Sequence, residues 1–198
     1  IETIILKITR SIHKEFKIKN LCLAGGVALN CVANGKILND GTFENIWIQP
    51  ASGDSGGSIG AALAFCYKEL KMPRLINKED SMKGSYLGPK FNNEIIKKDL
   101  IRIGANFRTF EQSKLIHSIA KALAKGKAVG WFQDRMEFSP RALGCRSILA
   151  DPRSENMQKI LNLKIKFRES FRPFAPSILN QDLSKWFDLK SESPYMLL

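Results

Sequence analysis

Histidine is the scarcest residue type that commonly does acid-base chemistry in this 198-residue chain, which contains only His13 and His117. Both lie in stretches with helical periodicity, away from the loops that are rich in glycine and arginine. No Ser-His-Asp or Cys-His arrangement is apparent. The sequence therefore disfavours hydrolysis through an activated nucleophilic side chain.

Cysteines are also few, and no two of them form a C-x-x-C pair. Their mostly apolar neighbours are typical of reduced packing residues in a cytoplasmic protein rather than of zinc ligands or disulfides. No apolar run approaches the roughly 20 residues of a membrane helix, so no membrane partner is expected. The cysteines are Cys22, Cys31, Cys66 and Cys145.

The net charge is +12, from 31 basic and 19 acidic residues. Such a balance has two readings: a solvated basic surface, or a site for an anionic partner such as nucleic acid or a phosphate-bearing small molecule. Basic residues between positions 135 and 172 lie beside Gly, Pro and Ser, with few aromatic residues outside 167–174. This distribution makes nucleic acid the less favoured partner.

The order of periodic segments predicts two α/β units joined by a linker over 71–84. Residues 1–70 alternate between helix and strand, with Gly41 ending the second helix, and this alternation indicates an α/β layer. The predicted segments of this part are helices over 2–18, up to Gly41 and over 58–70, and strands over 21–25 and 44–50. The second unit is predicted to contain helices over 113–125 and 154–166 (capped by Ser154) and over QDLSKWF, and strands over 127–133, 147–151, 174–179 and YMLL.

Two glycine-containing loops of the first unit each follow a strand and open a helix. Ligands of open α/β sheets bind at the carboxyl ends of the strands, and helix N-termini favour anions. Gly25, Gly26 and Gly56 would let a phosphate approach the backbone, and Asp54 beside them would need a cation, for which a metal ion is suited. The alternative, equally open from the residues alone, is that Asp54 caps its helix and the glycines only form turns.

Arg141, Lys166 and Arg172 stand in two loops of the second unit. Arginine recognises phosphate or carboxyl groups with two parallel hydrogen bonds, and three cations could surround a polyanionic ligand. The alternative is that individual arginines pair with nearby carboxylates, for which the candidates are Glu137, Asp151, Glu155 and Glu169.

Four stretches resemble the NodU/CmcH family of nodulation and antibiotic O-carbamoyltransferases: LAGGVALNCVANGKI, IQPASGDSGGSIGAAL, GWFQDRMEFSPRALGCRSILADPR and FRESFRPFAPSIL. Ser139 and Cys145 depart from the usual family residues without removing a charged group. The resemblance implies an α/β chain in which residues 1–78 are the closing part of an actin-like ATPase (ASKHA) domain. Residues 79–198 would be the opening part of a YrdC-like domain.

The resemblance also implies a reaction in which carbamoyl phosphate and ATP give carbamoyl adenylate and pyrophosphate. The carbamoyl group would then pass to a hydroxyl of a small-molecule or glycan acceptor. The implied cofactors are ATP with Mg²⁺, and Fe²⁺ in the complete enzyme. By position, Asp54 would be a metal ligand, Arg141, Lys166 and Arg172 would hold the carbamoyl-phosphate or adenylate group, and the nucleotide would be lined by Gly25, Gly26, Asn30 and Gly56.

The chain lacks the family's N-terminal H-x-x-x-H motif and starts with Ile1. We therefore expect it to be part of a longer enzyme and inactive alone; a homodimer is compatible with this reading. Two other functions stay open: carbamoyl or threonylcarbamoyl transfer in tRNA modification, with salt-sensitive tRNA binding, and a non-catalytic nucleotide-binding module.

Overall fold

The computed structural model describes residues 1–77, 79–189 and 191–198. The chain is mixed α/β and divides into two compact units. Unit 1 comprises Ile1–Gly88, Glu137–Leu143 and Ser193–Leu198, and unit 2 comprises Pro89–Met136 and Gly144–Glu192. The domain boundary expected between residues 78 and 79, and the actin-like and YrdC-like assignments, stay predictions.

Unit 1 contains the predicted alternation of helices and strands. Its elements are α1 (Glu2–Phe16), β1 (Asn20–Leu23), a 3-10 turn (Gly26–Leu29), α2 (Cys31–Asp40), β2 (Asn45–Ile48), α3 (Asp54–Ala64), a π-helical turn (Phe65–Glu69) and a second 3-10 turn (Lys83–Ser85). The strands β1 and β2 pair in parallel, so they need a crossover connection, which α2 supplies. Gly41 ends α2 in the left-handed region at φ 69°, as its position in the sequence predicted.

The core of unit 1 forms where α1 and α2 pack on the parallel sheet. Leu21 of β1, Ile37 of α2 and Phe43 are buried together, and burial of such side chains is the main favourable term in folding. Partly buried apolar residues complete the cluster: Ile5, Leu6, Leu23 and Ile46.

The apolar residues of α1 divide between two faces. Ile5 and Leu6 pack against the core, whereas the side chains spaced four apart that define the helical periodicity are exposed: Ile4, Ile8, Ile12 and Phe16. Periodicity predicted the helix correctly, and the tertiary structure decided which of its faces packs on the sheet.

Unit 2 contains a two-stranded antiparallel sheet and short helices. Its elements are α4 (Asn93–Arg102), α5 (Gln112–Ala124), β3 (Val129–Phe132), β4 (Arg146–Leu149), α6 (Met157–Ile160), a π-helical turn (Leu161–Ile165), a 3-10 turn (Asn180–Asp182) and α7 (Leu183–Trp186). Val129 stands opposite Leu149 in the β3–β4 ladder. Sequence reasoning missed α4, although Asn92 is a suitable N-cap residue. Its Oδ1 accepts a hydrogen bond from Ile95 N at 2.8 Å.

Three predicted details of secondary structure are wrong. Residues 174–179 form no strand, because Pro173 and Pro176 cannot donate hydrogen bonds to a ladder. The YMLL segment forms a turn and irregular chain within unit 1. Ser154 does not cap a helix with its side chain; its carbonyl accepts from Met157 N in a turn, and the helix starts at Met157.

Within the described ranges, no helix combines the length and apolar character needed to cross a bilayer. None of the four cysteines, all of which lie within the described residues, forms a disulfide; Cys145 is buried and Cys22 is exposed.

Candidate functional site

The loops that follow β1 and β2 meet at one edge of unit 1. Gly25 adopts φ 87° after β1, a conformation that favours glycine, and the 3-10 turn starts at Gly26. The second loop runs from Pro50 to Gly53. It lies close to the first, because a Cβ built on Gly53 would be 3.8 Å from the Leu29 side chain. The carboxyl ends of parallel strands share an edge, so the predicted glycine loops and Asp54 belong to the same region of unit 1.

The segment Glu137–Leu143 packs on both loops within unit 1. The Ser139 hydroxyl donates to Pro50 O at 3.1 Å, and Arg141 Nη2 donates to Leu29 O at 2.6 Å. Arg141 is therefore anchored beside the glycine loops. Lys166 and Arg172, with which the sequence grouped it, belong to unit 2, and the joint clamp of the three cations stays a prediction.

Glu137 is a buried carboxylate that sequence reasoning did not include among the site residues. Only 2% of it is exposed, and its Oε1 accepts from Leu143 N at 2.6 Å. A carboxylate is buried at a high cost unless it is hydrogen-bonded, and this bond joins the two ends of the segment that carries Arg141. The sequence signal for this burial is that Glu137 stands between two apolar residues, Met136 and Phe138.

Gly56 and Asn30 both have local structural roles. A Cβ on Gly56 would lie 2.1 Å from Ala51 O, so only glycine fits at this close backbone approach. Asn30 caps α2 because its Oδ1 accepts from Ala33 N at 3.1 Å. The nucleotide contacts predicted for these two residues stay predictions.

Gly25 and Gly26 stand next to open space. A Cβ built on either residue would meet no atom within 4 Å. At Gly25 the positive φ explains why the residue is glycine. At Gly26 neither the backbone conformation nor a close packing contact requires glycine. The open space leaves room for a ligand to approach both peptide groups.

Asp54 is exposed at the first position of α3, where a negative charge is favourable to the helix dipole. Among the residues that the structure describes, no three His, Cys, Asp or Glu side chains are grouped so that they could hold a metal ion. A single carboxylate supplies too few ligands for a divalent cation. Within the described residues Asp54 therefore does not complete a metal site, and the metal predicted for the complete enzyme stays a prediction.

The loop from Lys166 to Phe174 of unit 2 carries three basic residues and one acidic residue. We call it the basic loop. Lys166 and Arg172 are exposed, and the Arg168 guanidinium lies 5.0 Å from the centre of the Phe174 ring. The remaining members are Phe167, Glu169, Ser170, Phe171 and Pro173.

Arg172 and Arg153 of unit 2 pair with carboxylates, as the alternative reading predicted. Arg172 Nε donates to Glu169 Oε2 at 2.8 Å, and this hydrogen bond lowers the pKa of Glu169. Arg153 Nε donates to Asp151 Oδ1 at 2.9 Å, and its bonds lower the pKa of Asp151 to about 2. Both arginine side chains are more than half exposed, so these pairs add little to stability and an anion can still reach Arg172.

Family models match both units of the chain. The model described as "Carbamoyltransferase N-terminus" matches residues 1–63, and the model described as "Carbamoyltransferase C-terminus" matches residues 120–198. Together the matches span more than half of the chain and contain every predicted site residue. The chain belongs to the carbamoyltransferase family.

Several relatives align with nearly the whole chain. An uncharacterized protein of Synechocystis sp. is 53% identical over 100% of this chain and 32% of its own length. Nodulation protein NolO of Bradyrhizobium diazoefficiens is 41% identical over 96% of this chain and 34% of its own. Nodulation protein U of Rhizobium tropici is 37% identical over 90% of this chain and 28% of its own length. The chain spans about a third of the length of these relatives.

The two carbamoyltransferase matches contain different parts of the candidate site. One match contains both glycine loops, and the other contains Arg141 and the basic loop. The helix α4, which sequence reasoning missed, lies between the two matches.

Proposed function

We propose that this chain is part of an ATP-dependent O-carbamoyltransferase that takes its carbamoyl group from carbamoyl phosphate. The observation that carries the proposal is the basic loop, with three cations against one carboxylate, inside a segment that matches the carbamoyltransferase family. Such a loop suits a ligand with two or more negative charges, and carbamoyl phosphate, ATP and an adenylate all carry phosphate.

The proposed first half-reaction consumes one molecule each of carbamoyl phosphate, water and ATP. Water releases phosphate from carbamoyl phosphate and leaves carbamate. A carbamate oxygen then attacks the α-phosphorus of ATP, the bond to the β-phosphate oxygen breaks, and pyrophosphate leaves. Lys166 and Arg172 would stabilise the negative charge on the phosphate groups throughout, because both side chains are basic and exposed to a ligand.

The proposed second half-reaction transfers the carbamoyl group to a hydroxyl. The acceptor oxygen attacks the carbamoyl carbon, the bond from that carbon to the phosphate oxygen breaks, AMP leaves and the hydroxyl proton is lost. The backbone at Gly25 and Gly26 would approach the nucleotide through the open space beside it. We further propose Mg²⁺ with ATP, and Asp54 as one ligand of Fe²⁺, on the family resemblance alone.

Release of pyrophosphate by the full-length parent protein tests this proposal. The parent would be supplied with ATP, Mg²⁺ and carbamoyl phosphate without acceptor. We expect release that depends on carbamoyl phosphate and that falls on the order of a hundredfold in Lys166→Ala or Arg172→Ala, as is typical when a group that stabilises developing charge is removed. The matched control is Arg102→Ala, because Arg102 pairs with Asp99 at the same i, i+3 spacing as Arg172 with Glu169.

The alternatives predict different results. A folded parent that binds ATP but releases no pyrophosphate would contradict carbamoyl-adenylate formation and support a nucleotide-binding module. Tight binding of tRNA that weakens steeply with salt would support transfer to a tRNA-bound group instead. Release that is equal in wild type, Lys166→Ala and Arg172→Ala would remove the basic loop from the mechanism.

A further inference from the structure

Asn162 is a fully buried amide of unit 2, with 0% of its surface exposed, in the π-helical turn Leu161–Ile165. Its Nδ2 donates to Ser170 O at 3.1 Å and to Arg172 O at 2.8 Å. Its Oδ1 accepts from Arg168 Nε at 2.7 Å. The side chain therefore uses both N–H groups and its oxygen on one short stretch of chain.

The chemistry of the partners determines the orientation of this amide. Arg168 can only donate, and the two carbonyl oxygens can only accept. A flipped amide would oppose its oxygen to two carbonyl oxygens and its N–H groups to a guanidinium. The orientation is thus the only one in which all three contacts are hydrogen bonds.

All three partners of Asn162 belong to the basic loop. The backbone of Asn162 adds a fourth bond, because its carbonyl accepts from Arg168 N at 3.0 Å. One helical turn earlier, the exposed Gln158 donates from Nε2 to Phe171 O at 3.2 Å and to Arg172 O at 3.1 Å. Residues four apart share a helix face, so the two amides hold the same side of the loop.

The basic loop needs such support for three physical reasons. Its three cations repel one another, and ordering a loop costs backbone conformational entropy at every residue. Phe167 also adopts φ 49°, a left-handed conformation that is uncommon for a bulky residue. Without a ligand, only contacts with the protein can keep Lys166 and Arg172 in one arrangement.

We infer that Asn162 is a positioning residue that holds the basic loop in the conformation in which Lys166 and Arg172 bind the phosphate-bearing substrate. Because Asn162 itself is fully buried, it would act through the Arg172 backbone and the Arg168 guanidinium rather than by direct contact with a ligand. The inference rests on the proposed function for the identity of the substrate as carbamoyl phosphate. The loop's affinity for a phosphate anion can be measured independently of that reaction.

Asn162→Asp in the full-length parent is the sharpest test. Aspartate keeps the size of the side chain and still accepts from Arg168, but it cannot donate to Ser170 O and Arg172 O. We expect KM for carbamoyl phosphate to rise on the order of tenfold or more while kcat changes less, because loss of loop positioning weakens ground-state and transition-state binding alike. Backbone amides of the basic loop should also exchange hydrogen faster.

Two further variants separate positioning from folding. Gln158→Ala removes two hydrogen bonds to the loop from an exposed residue and should raise the same KM by a smaller factor. Asn34→Asp is the matched control for a buried amide, because Asn34 is 2% exposed and donates to two carbonyls of unit 1, Ala28 O and Leu197 O. It should reduce stability without the selective rise in KM for carbamoyl phosphate.

Pyrophosphate, titrated into each parent protein by calorimetry, keeps the inference testable if no turnover is found. Absence of pyrophosphate release in the wild type would contradict the proposed function, whereas weaker pyrophosphate binding in Asn162→Asp and Gln158→Ala would still support positioning. If Asn162→Asp does not fold, the KM for carbamoyl phosphate and the pyrophosphate affinity of Gln158→Ala decide whether the inference stands. An unchanged KM for carbamoyl phosphate, or an unchanged affinity for pyrophosphate, in folded variants would overturn the inference, as would a wild type that binds no pyrophosphate.

Discussion

Arg141 Nη2 donates a 2.6 Å hydrogen bond to the carbonyl oxygen of Leu29, across a sequence separation of 112 residues. The bond ties the segment Glu137–Leu143 to the loop after β1, so Arg141 helps to shape unit 1 as well as offering a cation. A substitution of Arg141 would therefore change structure and charge together. Lys166 and Arg172, which are exposed, report on ligand binding more directly.

Gly56→Ala should destabilise the start of α3, since its Cβ would lie 2.1 Å from Ala51 O, well inside van der Waals contact. We expect a loss of about 1–3 kcal/mol in the free energy of unfolding, the usual range for overpacking. The measurement is denaturant unfolding of the parent protein, supported by hydrogen exchange in α3.

The matched control for this prediction is Gly60→Ala in the same helix. No atom lies within 4 Å of a Cβ at Gly60, so alanine should be tolerated and should stabilise the helix by up to about 1 kcal/mol. Equal stability of the Gly56→Ala protein and the wild type would mean that the backbone approach at Ala51 is less close than described.

Asn30→Asp separates helix capping from ligand contact. Aspartate caps a helix as well as asparagine, so the stability of α2 should be retained, whereas the Nδ2 donor is lost. If Asn30 lines the nucleotide through that donor, KM for ATP should rise by about tenfold, the cost of leaving a polar ligand atom unpaired. Steady-state kinetics of pyrophosphate release provide the measurement.

Asn92→Asp is the control for the capping change, because Asn92 caps α4 as Asn30 caps α2, with its side-chain oxygen accepting from the backbone N–H three residues later. It should leave KM for ATP unchanged. If Asn30→Asp behaves like Asn92→Asp, Asn30 is a capping residue and its predicted nucleotide contact is wrong.

Asp40 should make stability fall in acid. Hydrogen bonds from Arg10 and from Thr42 lower the pKa of Asp40 to about 2 in the folded chain. The unfolded chain takes up this proton at a higher pH, near the ordinary aspartate pKa of about 3.9. The contribution of Asp40 is therefore complete above about pH 4 and is lost as the pH falls towards about 2.

Urea unfolding at a series of pH values checks this sign. Asp40→Asn and Arg10→Gln should each be less stable than the wild type near neutral pH and should approach it as the pH falls towards about 2. Thr42→Val should show a smaller effect of the same kind, because the hydrogen bond from Arg10 is the larger cause. A constant difference between wild type and Arg10→Gln at every pH would contradict the assignment.

Local patterns in the sequence predicted much of unit 1. The helices α1 and α2, the strands β1 and β2 and the end of α2 at Gly41 follow from spacing and from a single glycine conformation. The start of α3 at Asp54, four residues before the predicted start at 58, was not apparent, because DSGGS reads as a turn on composition. Propensity is a weak guide where packing brings Gly56 against Ala51.

Unit 2 was predicted less well because its elements depend on contacts between distant residues. The helix α4 was missed, and a strand was predicted over 174–179, where the chain is irregular. An apolar run shows that a segment can be buried, but a strand also needs a partner with free hydrogen-bonding groups. Proline at positions 173 and 176 limits that pairing.

By itself, the sequence determined the carbamoyltransferase family, the α/β alternation of unit 1, and the residue types that suit a phosphate-bearing ligand. These depend on residue identity and short spacing, which any window of the chain contains. Only the tertiary structure decided that Arg141 contacts Leu29, that Gly56 is required by Ala51, and that Asn162 holds the basic loop. Contacts of this kind arise when the chain closes on itself, and their distances are set by packing rather than by position in the sequence.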